Sequence, residues 1–357
     1  MKNKIILFFC AMFMSGFAIA QSSYFFQNEE VKAGTKKHFL VPIVTGKDST
    51  FIPVSVFNGV RNGETLGITA GVHGYEYAPI MGAQKLIRSI NPQKLMGVVI
   101  LVQLAGLDSF LGRSPYVSPV DKKNLNRSFP GSKNGSNTDK VANFITEQII
   151  SKSNYFLDMH SGDAPEDLMR YGAYYSNSSL PEISAKGKEM AYALGFDHVV
   201  VFNTDGKAYM KKAESSLYCT AEAFKRGIPS VDIECGRLGI VEQAAVDKVE
   251  TSVLNLLDYL KFLPLSQPKT QTVKPSLISN RIYTSSKFDG IFYPAKKAGD
   301  QVTKGMKLGH ITDYFGNILQ TIYAEADGLL LLIITTPPIN KGEDVTVIAK
   351  IDQDLSK

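Results

Sequence analysis

Cysteine is scarce: the chain of 357 residues has three, Cys10, Cys219 and Cys235, too few for a disulfide framework. Cys10 lies in an apolar run at the start of the chain, where bulky Phe8 and Phe9 before it argue against lipidation. Cys219 and Cys235 are left to form one disulfide in an exported protein or to stay as two buried thiols. Charge of one sign is also lacking. With 39 Lys+Arg against 34 Asp+Glu the formal charge is +5, and that balance excludes a dedicated nucleic-acid surface. After the amino terminus no apolar run is long enough to cross a membrane, because Leu329–Ile334 is only strand-length. Repeats and low-complexity tracts are absent too. The expected partner is therefore a small molecule or short peptide. What the chain does have is core material, 44% hydrophobic and 10% aromatic residues, enough to fill two domains.

The first residues combine a basic start at Lys2 and Lys4, an apolar stretch from Ile5 to Phe17 and the small-residue site Ala18-Ile19-Ala20. This is the pattern of a cleaved signal over residues 1–20, with the mature chain starting near Gln21. The run falls short of the ~20 apolar residues a retained anchor needs. An exported, periplasmic or secreted protein without a membrane span is expected.

From Thr65 to about Leu263 short apolar runs alternate with helix-period segments, the pattern of a mixed sheet covered by helices, and residues 24–263 are expected to form one α/β domain. Strands are expected at Leu66–Ala70, Val98–Leu104, Tyr155–Met159, Val199–Phe202 and Pro229–Ile233. Helices are expected at Ala78–Ile90, Lys140–Ile150, Ile183–Leu194 and Val241–Phe262. His38–Val44 and Ile52–Phe57 read as extra antiparallel strands. The polar, proline-flanked stretch 264–274 reads as a linker. Beyond it, residues 275–353 carry short strands punctuated by Asp289-Gly290, Gly299-Asp300, Gly305, Gly316 and Asp327-Gly328, which points to a small all-β domain.

Chemistry concentrates at strand ends. Gly71-Val72-His73-Gly74-Tyr75-Glu76 follows one expected strand and precedes a helix. An imidazole and a carboxylate three residues apart on such a turn can converge on one divalent cation; His-x-x-Glu alone is more often a surface pair, and the flanking glycines and strand-to-helix position raise the metal reading to equal standing. His160 ends a second strand and supplies a third ligand. Two histidines and one carboxylate leave one zinc position open, as a catalytic site requires. Of the five histidines, His38, His198 and His310 have no such neighbours and read as structural. Asp158, on the same side of its strand as His160, either orients that ligand or is satisfied by backbone. Glu234 ends a further strand, where open α/β sheets place their sites, and is suited to move a proton or to form a surface ion pair. Asn126 and Arg127 lie in a loop closed by Pro130-Gly131, where a guanidinium fork beside an amide suits a carboxylate.

Taken in order, Gly-x-His-Gly-x-Glu, Asn-Leu-Asn-Arg-x-Phe-Pro-Gly, Asp-x-His-Ser-Gly and Glu-x-Gly resemble the succinylglutamate desuccinylase/aspartoacylase family, a relative of the zinc carboxypeptidases. The segments around Gly290-Ile291-Phe292-Tyr293-Pro294 and Gly299–Gly305 resemble the β-rich carboxyl-terminal domain of its bacterial members. The resemblance implies one zinc per chain on His73, Glu76 and His160, with Glu234 as general acid/base. It implies that Asn126 and Arg127 hold a substrate carboxylate. The position of the family arginine that polarises the scissile carbonyl holds Pro115 here, which leaves that role to Arg113. No counterpart stands upstream of Glu234 for the arginine aspartoacylases use on a second carboxylate, which disfavours N-acetylaspartate and succinylglutamate as substrates. The expected activity is zinc-dependent hydrolysis of an amide bond in an N-acyl amino acid outside the cytoplasm. A metallocarboxypeptidase acting on short or cell-wall peptides and a non-catalytic binding protein are the alternatives.

Overall fold

The computed structural model describes residues 22–46, 49–264 and 274–352. The expected signal segment and residues 265–273 of the expected linker lie outside these. A small hairpin, β1 (Tyr24–Phe26) and β2 (Glu29–Val31), precedes three long strands, β3 (Thr35–Ile43), β4 (Thr50–Asn58) and β5 (Arg61–Ala70). Then come α1 (Tyr77–Ser89), β6 (Met96–Val102), α2 (Leu107–Gly112), α3 (Asn137–Gln148), β7 (Tyr155–His160), β8 (Glu166–Leu168) and β9 (Tyr171–Ser176). The first part closes with α4 (Pro181–Ala193), β10 (His198–Asn203), α5 (Cys219–Lys225), β11 (Ser230–Glu234) and α6 (Gln243–Tyr259).

The remaining strands are β12 (Ser276–Ile278), β13 (Asn280–Ser285), β14 (Gly290–Pro294), β15 (Gln301–Val302), β16 (Lys307–Thr312), β17 (Ile318–Tyr323), β18 (Gly328–Ile334), β19 (Pro338–Ile339) and β20 (Asp344–Lys350). A nine-stranded mixed sheet in the order β12-β10-β9-β11-β7-β5-β6-β4-β3 forms the frame. The fold is mixed α/β with antiparallel sheets at the carboxyl-terminal end.

Both faces of this sheet are covered, and its central strands show why. In β6, Val99 and Leu101 face one apolar layer with α1, α4 and α6, while Val98, Ile100 and Val102 face another with α3 and α5. A strand buried on both sides reads as a continuous apolar run, and β6 does. At the edge, β3 buries Phe39, Val41 and Ile43 in alternation with exposed residues, as a half-solvated strand must. Helix α3 starts three residues earlier than its apolar period suggests, because Ser136 and Asp139 form a reciprocal capping box. Proline at the first turn of α4 pre-sets its start at Pro181. Helix α6 is shorter at both ends than Val241–Phe262. No helix among the described residues is long and apolar enough to cross a membrane.

Two features escape the apolar pattern. Strand β9 runs antiparallel to β11 in the middle of the sheet, although Tyr171–Ser176 is built from tyrosine and small residues. Strand β12, immediately after the undescribed segment, pairs with β10 at the edge of the large sheet. Reciprocally, β8 leaves the first part of the chain to pair with β18. A shared apolar layer of Leu168, Tyr171, Val200, Ile278, Leu331 and Val347 lies between the two parts.

Candidate active site

Parallel pairing of β5, β7 and β11 brings three carboxyl-terminal ends together. The register sets Ala70 beside Met159, and Glu234 beside His160. From the end of β5 the chain turns at Gly71, whose φ of +63° favours glycine. At Gly74 an added Cβ would sit 2.2 Å from the Phe110 amide nitrogen of α2, so only glycine fits there. This tight turn points His73 inward and places buried Glu76 at the start of α1.

Glu76 is the hub. Its Oε1 lies 2.7 Å from His73 Nδ1 and its Oε2 2.9 Å from His160 Nδ1, while the Ser161 amide donates to Oε2 at 3.2 Å. The far ring nitrogens are held separately, His73 Nε2 by Asn124 Oδ1 at 3.1 Å and His160 Nε2 by Asp158 Oδ2 at 2.8 Å. Asp158 is itself fixed by the Thr69 hydroxyl, which donates to its other oxygen at 2.6 Å. Asp158 therefore orients His160. With each Nε2 occupied, both Nδ1 atoms turn toward the Glu76 carboxylate, and one donor atom from each residue lies within 4.8 Å of the others.

Electrostatics favour positive charge at this point. Burial pushes the Glu76 carboxyl up, yet His160 and His73 outweigh it and hold it at about 2. Burial opposes charging of His160, but Asp158 and Glu76 raise its pKa well above the usual value, and Glu76 raises that of His73. A cluster of two nitrogens and a carboxylate without thiolate, held by outer partners, fits a borderline divalent ion such as zinc. Glu234 faces the same space. Burial pushes its carboxyl well above the ordinary range, and its buried Oε2 has no hydrogen-bond partner among the described residues.

These groups line a cavity of about 490 Å³ that Asn126 and Arg127 also enter. Asn126 Oδ1 accepts the Cys219 amide at 2.9 Å, which leaves its NH2 group for a ligand. The Arg127 guanidinium lies 4.6 Å over the Tyr218 ring and donates to the Asn126 carbonyl at 2.7 Å. Stacked in this way and without a carboxylate partner among the described residues, it keeps donors available.

The structure does not bring Arg113 to the cavity. It caps α2 in a left-handed conformation, φ +48°, and is exposed near Tyr77. Cys219 and Cys235 are both free and buried. Sequence reasoning passed over Asn124, Tyr116, Glu166 and Lys207, and over Arg281, Tyr283 and Leu332 from the carboxyl-terminal strands, all of which line the cavity. Asn124 stood inside the Asn-Leu-Asn-Arg motif and was within reach; the others carry no local signal.

The model of the succinylglutamate desuccinylase/aspartoacylase catalytic domain matches residues 62–260. The chain belongs to this family. Its homologues are deacylating hydrolases that act on amide bonds, and the family is generally metal-dependent. The N-alpha-acetyl-L-2,4-diaminobutyric acid deacetylase of Halomonas elongata is 28% identical over 334 residues, covering 90% of this chain and 93% of that protein. The fold matches a succinylglutamate desuccinylase/aspartoacylase from Rhodobacter sphaeroides with a TM-score of 0.76 at 22% identity, covering 89% of this chain and 96% of that one. It equally matches the product-bound ectoine utilization protein EutE of Ruegeria pomeroyi, TM-score 0.76 and 22% identity, covering 88% and 95% of the two chains.

Proposed function

We propose that this family member is a zinc-dependent hydrolase that deacylates an N-acyl amino acid or a related small carboxylate-bearing amide outside the cytoplasm. The observation that supports this most is one cavity lined both by the His73–Glu76–His160 donor set and by Glu234, whose buried Oε2 has no hydrogen-bond partner among the described residues. When bound by His73, Glu76 and His160, zinc supplies a Lewis acid that acidifies water and polarises an amide carbonyl. Glu234 takes a proton from the attacking water and returns it to the leaving nitrogen. Burial raises its pKa well above the ordinary carboxylate range, which suits a group that must accept a proton from water and hold it until the leaving nitrogen takes it. Asn126 and Arg127 bind the substrate carboxylate and so fix the amide relative to Glu234. The export half of the proposal rests on the basic, apolar and small-residue sequence of residues 1–20.

The test is an assay of the mature chain against a panel of N-acyl amino acids and dipeptides, with and without chelator, combined with metal analysis. Chelator-sensitive release of free amino acids from the N-acyl compounds is expected. Activity confined to dipeptides would make the chain a carboxypeptidase, and activity indifferent to full metal removal would refute the zinc assignment. Cell fractionation tests the location: intact residues 1–20 on cytoplasmic protein would refute export.

A further inference from the structure

Strand β11 sends two carboxylates to the cavity, and the reaction proposed above uses only one. Val231 and Ile233 pack in the apolar layer with α1, α4 and α6, so Asp232 and Glu234 share the other face of the strand, and both line the cavity. Asp232 is only 6% exposed. Its register partner on β7 is Asp158, whose two oxygens are taken by Thr69 and His160. Asp232 is less engaged. Its one hydrogen-bond donor among the described residues is the Thr220 hydroxyl, to Oδ1, and no lysine or arginine pairs with it there. A carboxylate withdrawn from water without a cation is costly, and a cation arriving in the cavity would offset that cost.

The walls around Asp232 suit such a guest. On β9 the residue opposite is Ala173, whose small side chain leaves room, and the next residue on that face is Tyr175. Phe202 lies in register with Tyr175 on β10, ring centroids 5.2 Å apart, and Tyr209 and Tyr218 meet edge-on at 5.4 Å. All four rings line the cavity, and aromatic faces attract cations. Three consecutive residues tie this pocket to the carboxylate clamp: Tyr218 underlies the Arg127 guanidinium, the Cys219 amide holds Asn126, and Thr220 holds Asp232. Asp232 therefore stands on the amino-acid side of the scissile amide, not on its acyl side.

We propose that Asp232 selects substrates whose amino-acid side chain ends in an ammonium group, which makes N-acyl derivatives of basic amino acids the preferred class. The inference rests on the hydrolase reading above and names the substrate class of the same site. An ammonium carries three donors and a compact charge, so it can pair with the carboxylate while its remaining surface meets aromatic faces. An apolar side chain of equal length would leave Asp232 buried and unpaired, and an acidic one would add like charge. Arg281, 4.7 Å over the Phe202 ring, and exposed Lys207 also line the cavity, which makes an acidic side chain the competing outcome.

The experiment compares hydrolysis of the Nα-acetyl derivatives of ornithine, lysine, norleucine and glutamate by the full mature chain. The better of the two ammonium substrates should exceed the norleucine derivative by roughly 10–100-fold in kcat/KM, the worth of one charge-assisted hydrogen bond, and the glutamate derivative should be poorer still. Asp232→Asn keeps the size of the side chain and an oxygen for Thr220, so it should lower kcat/KM for the ammonium substrates by roughly 10–100-fold more than for norleucine. An equal loss on charged and uncharged substrates would make Asp232 a structural residue and overturn the assignment, and so would a preference that survives in the variant. Preference of the wild type for glutamate would hand selection to Arg281 and Lys207 and overturn it too. Inhibition of the wild type by the free amino acids needs no variant: ornithine or lysine should inhibit at lower concentration than norleucine, and the reverse order would refute the proposal. If the wild-type chain hydrolysed none of the N-acyl panel, the hydrolase reading would fall and this proposal with it; an active wild type that treats ornithine, lysine and norleucine alike refutes the proposal alone.

Discussion

Replacing Glu234 by glutamine separates proton transfer from metal binding, because it keeps the side-chain length at the end of β11 and removes only the base. A positioned general base contributes about 10²–10⁴-fold, or about 2.7–5.5 kcal/mol of barrier. The variant should therefore lose at least that factor in kcat while keeping its zinc and its KM. Stability should move the other way. Burial, with Glu76, Glu166 and Asp232 nearby, raises the Glu234 pKa well above the ordinary carboxylate value of 4.5, and His160 offsets only part of this. In metal-free protein the folded state then holds the Glu234 proton to a higher pH than the unfolded state does. Between the two pKa values the folded state binds more protons, so stability falls as pH rises, by up to about 1.4 kcal/mol per pH unit from this one group. Below the unfolded pKa both states are protonated and the slope vanishes. Glutamine has no proton to lose, so metal-free Glu234→Gln should gain on wild type progressively above about pH 4.5. Steady-state kinetics, metal analysis and urea titrations of chelated protein from pH 5 to 8 measure all three quantities. Wild-type turnover in the variant, loss of zinc in parallel with activity, or a metal-free variant less stable than wild type at pH 8 would refute the reasoning.

His160→Ala should abolish tight metal binding with the fold intact by circular dichroism, since the sheet does not depend on this side chain; stoichiometric zinc in the variant would remove His160 from the ligand set. Asp158→Asn should weaken zinc affinity roughly 10–100-fold, because the carboxylate that accepts from His160 Nε2 sets the tautomer and basicity of the ring. Competition with a chromophoric chelator measures it, and an unchanged affinity would contradict the orienting role. Arg127→Met should raise KM for N-acyl amino acids with a free carboxylate by roughly 10-fold or more, the worth of a charge-assisted hydrogen bond, and should affect the carboxamide analogues far less. Equal effects on acid and amide would mean that Arg127 serves its loop and not the ligand.

The metal-ligand candidates and Glu234 were legible in the sequence for a physical reason. His160 and Glu234 end apolar strands and His73 and Glu76 lie on the glycine-flanked turn after a third, and parallel pairing makes such ends converge. The two cysteines show what that level of reading leaves open. Spacing allowed a disulfide, but Cys219 is buried in the layer with α3 and α5 and Cys235 in the layer with α1, α4 and α6. They lie on opposite faces of the sheet, and only the topology could reveal that. Strand β9 was missed because tyrosine and small residues give no apolar run, although tyrosine's preference for strands was a usable signal.

The rest of the cavity wall depends on contacts between distant parts of the chain. A proline-flanked polar stretch ordinarily separates independent units, and on that basis the all-β segment should hang beside the large sheet. Yet β12 joins that sheet directly, and β8 crosses the other way onto β18. Each exchange has a chemical consequence. Through β12 the chain is delivered to β13, which sets Arg281 and Tyr283 on the cavity wall. Through β8 the backbone at Glu166 is held against Ile334, which sets the Glu166 side chain on the cavity wall near Tyr116. Local spacing can place a metal ligand at a strand end, but it carries no record of which strand from a later segment will fix a glutamate opposite it. The side chains that the carboxyl-terminal strands place on the cavity wall are thus drawn from the pairings least visible in the sequence, whereas the candidate metal ligands and Glu234 come from the most visible ones.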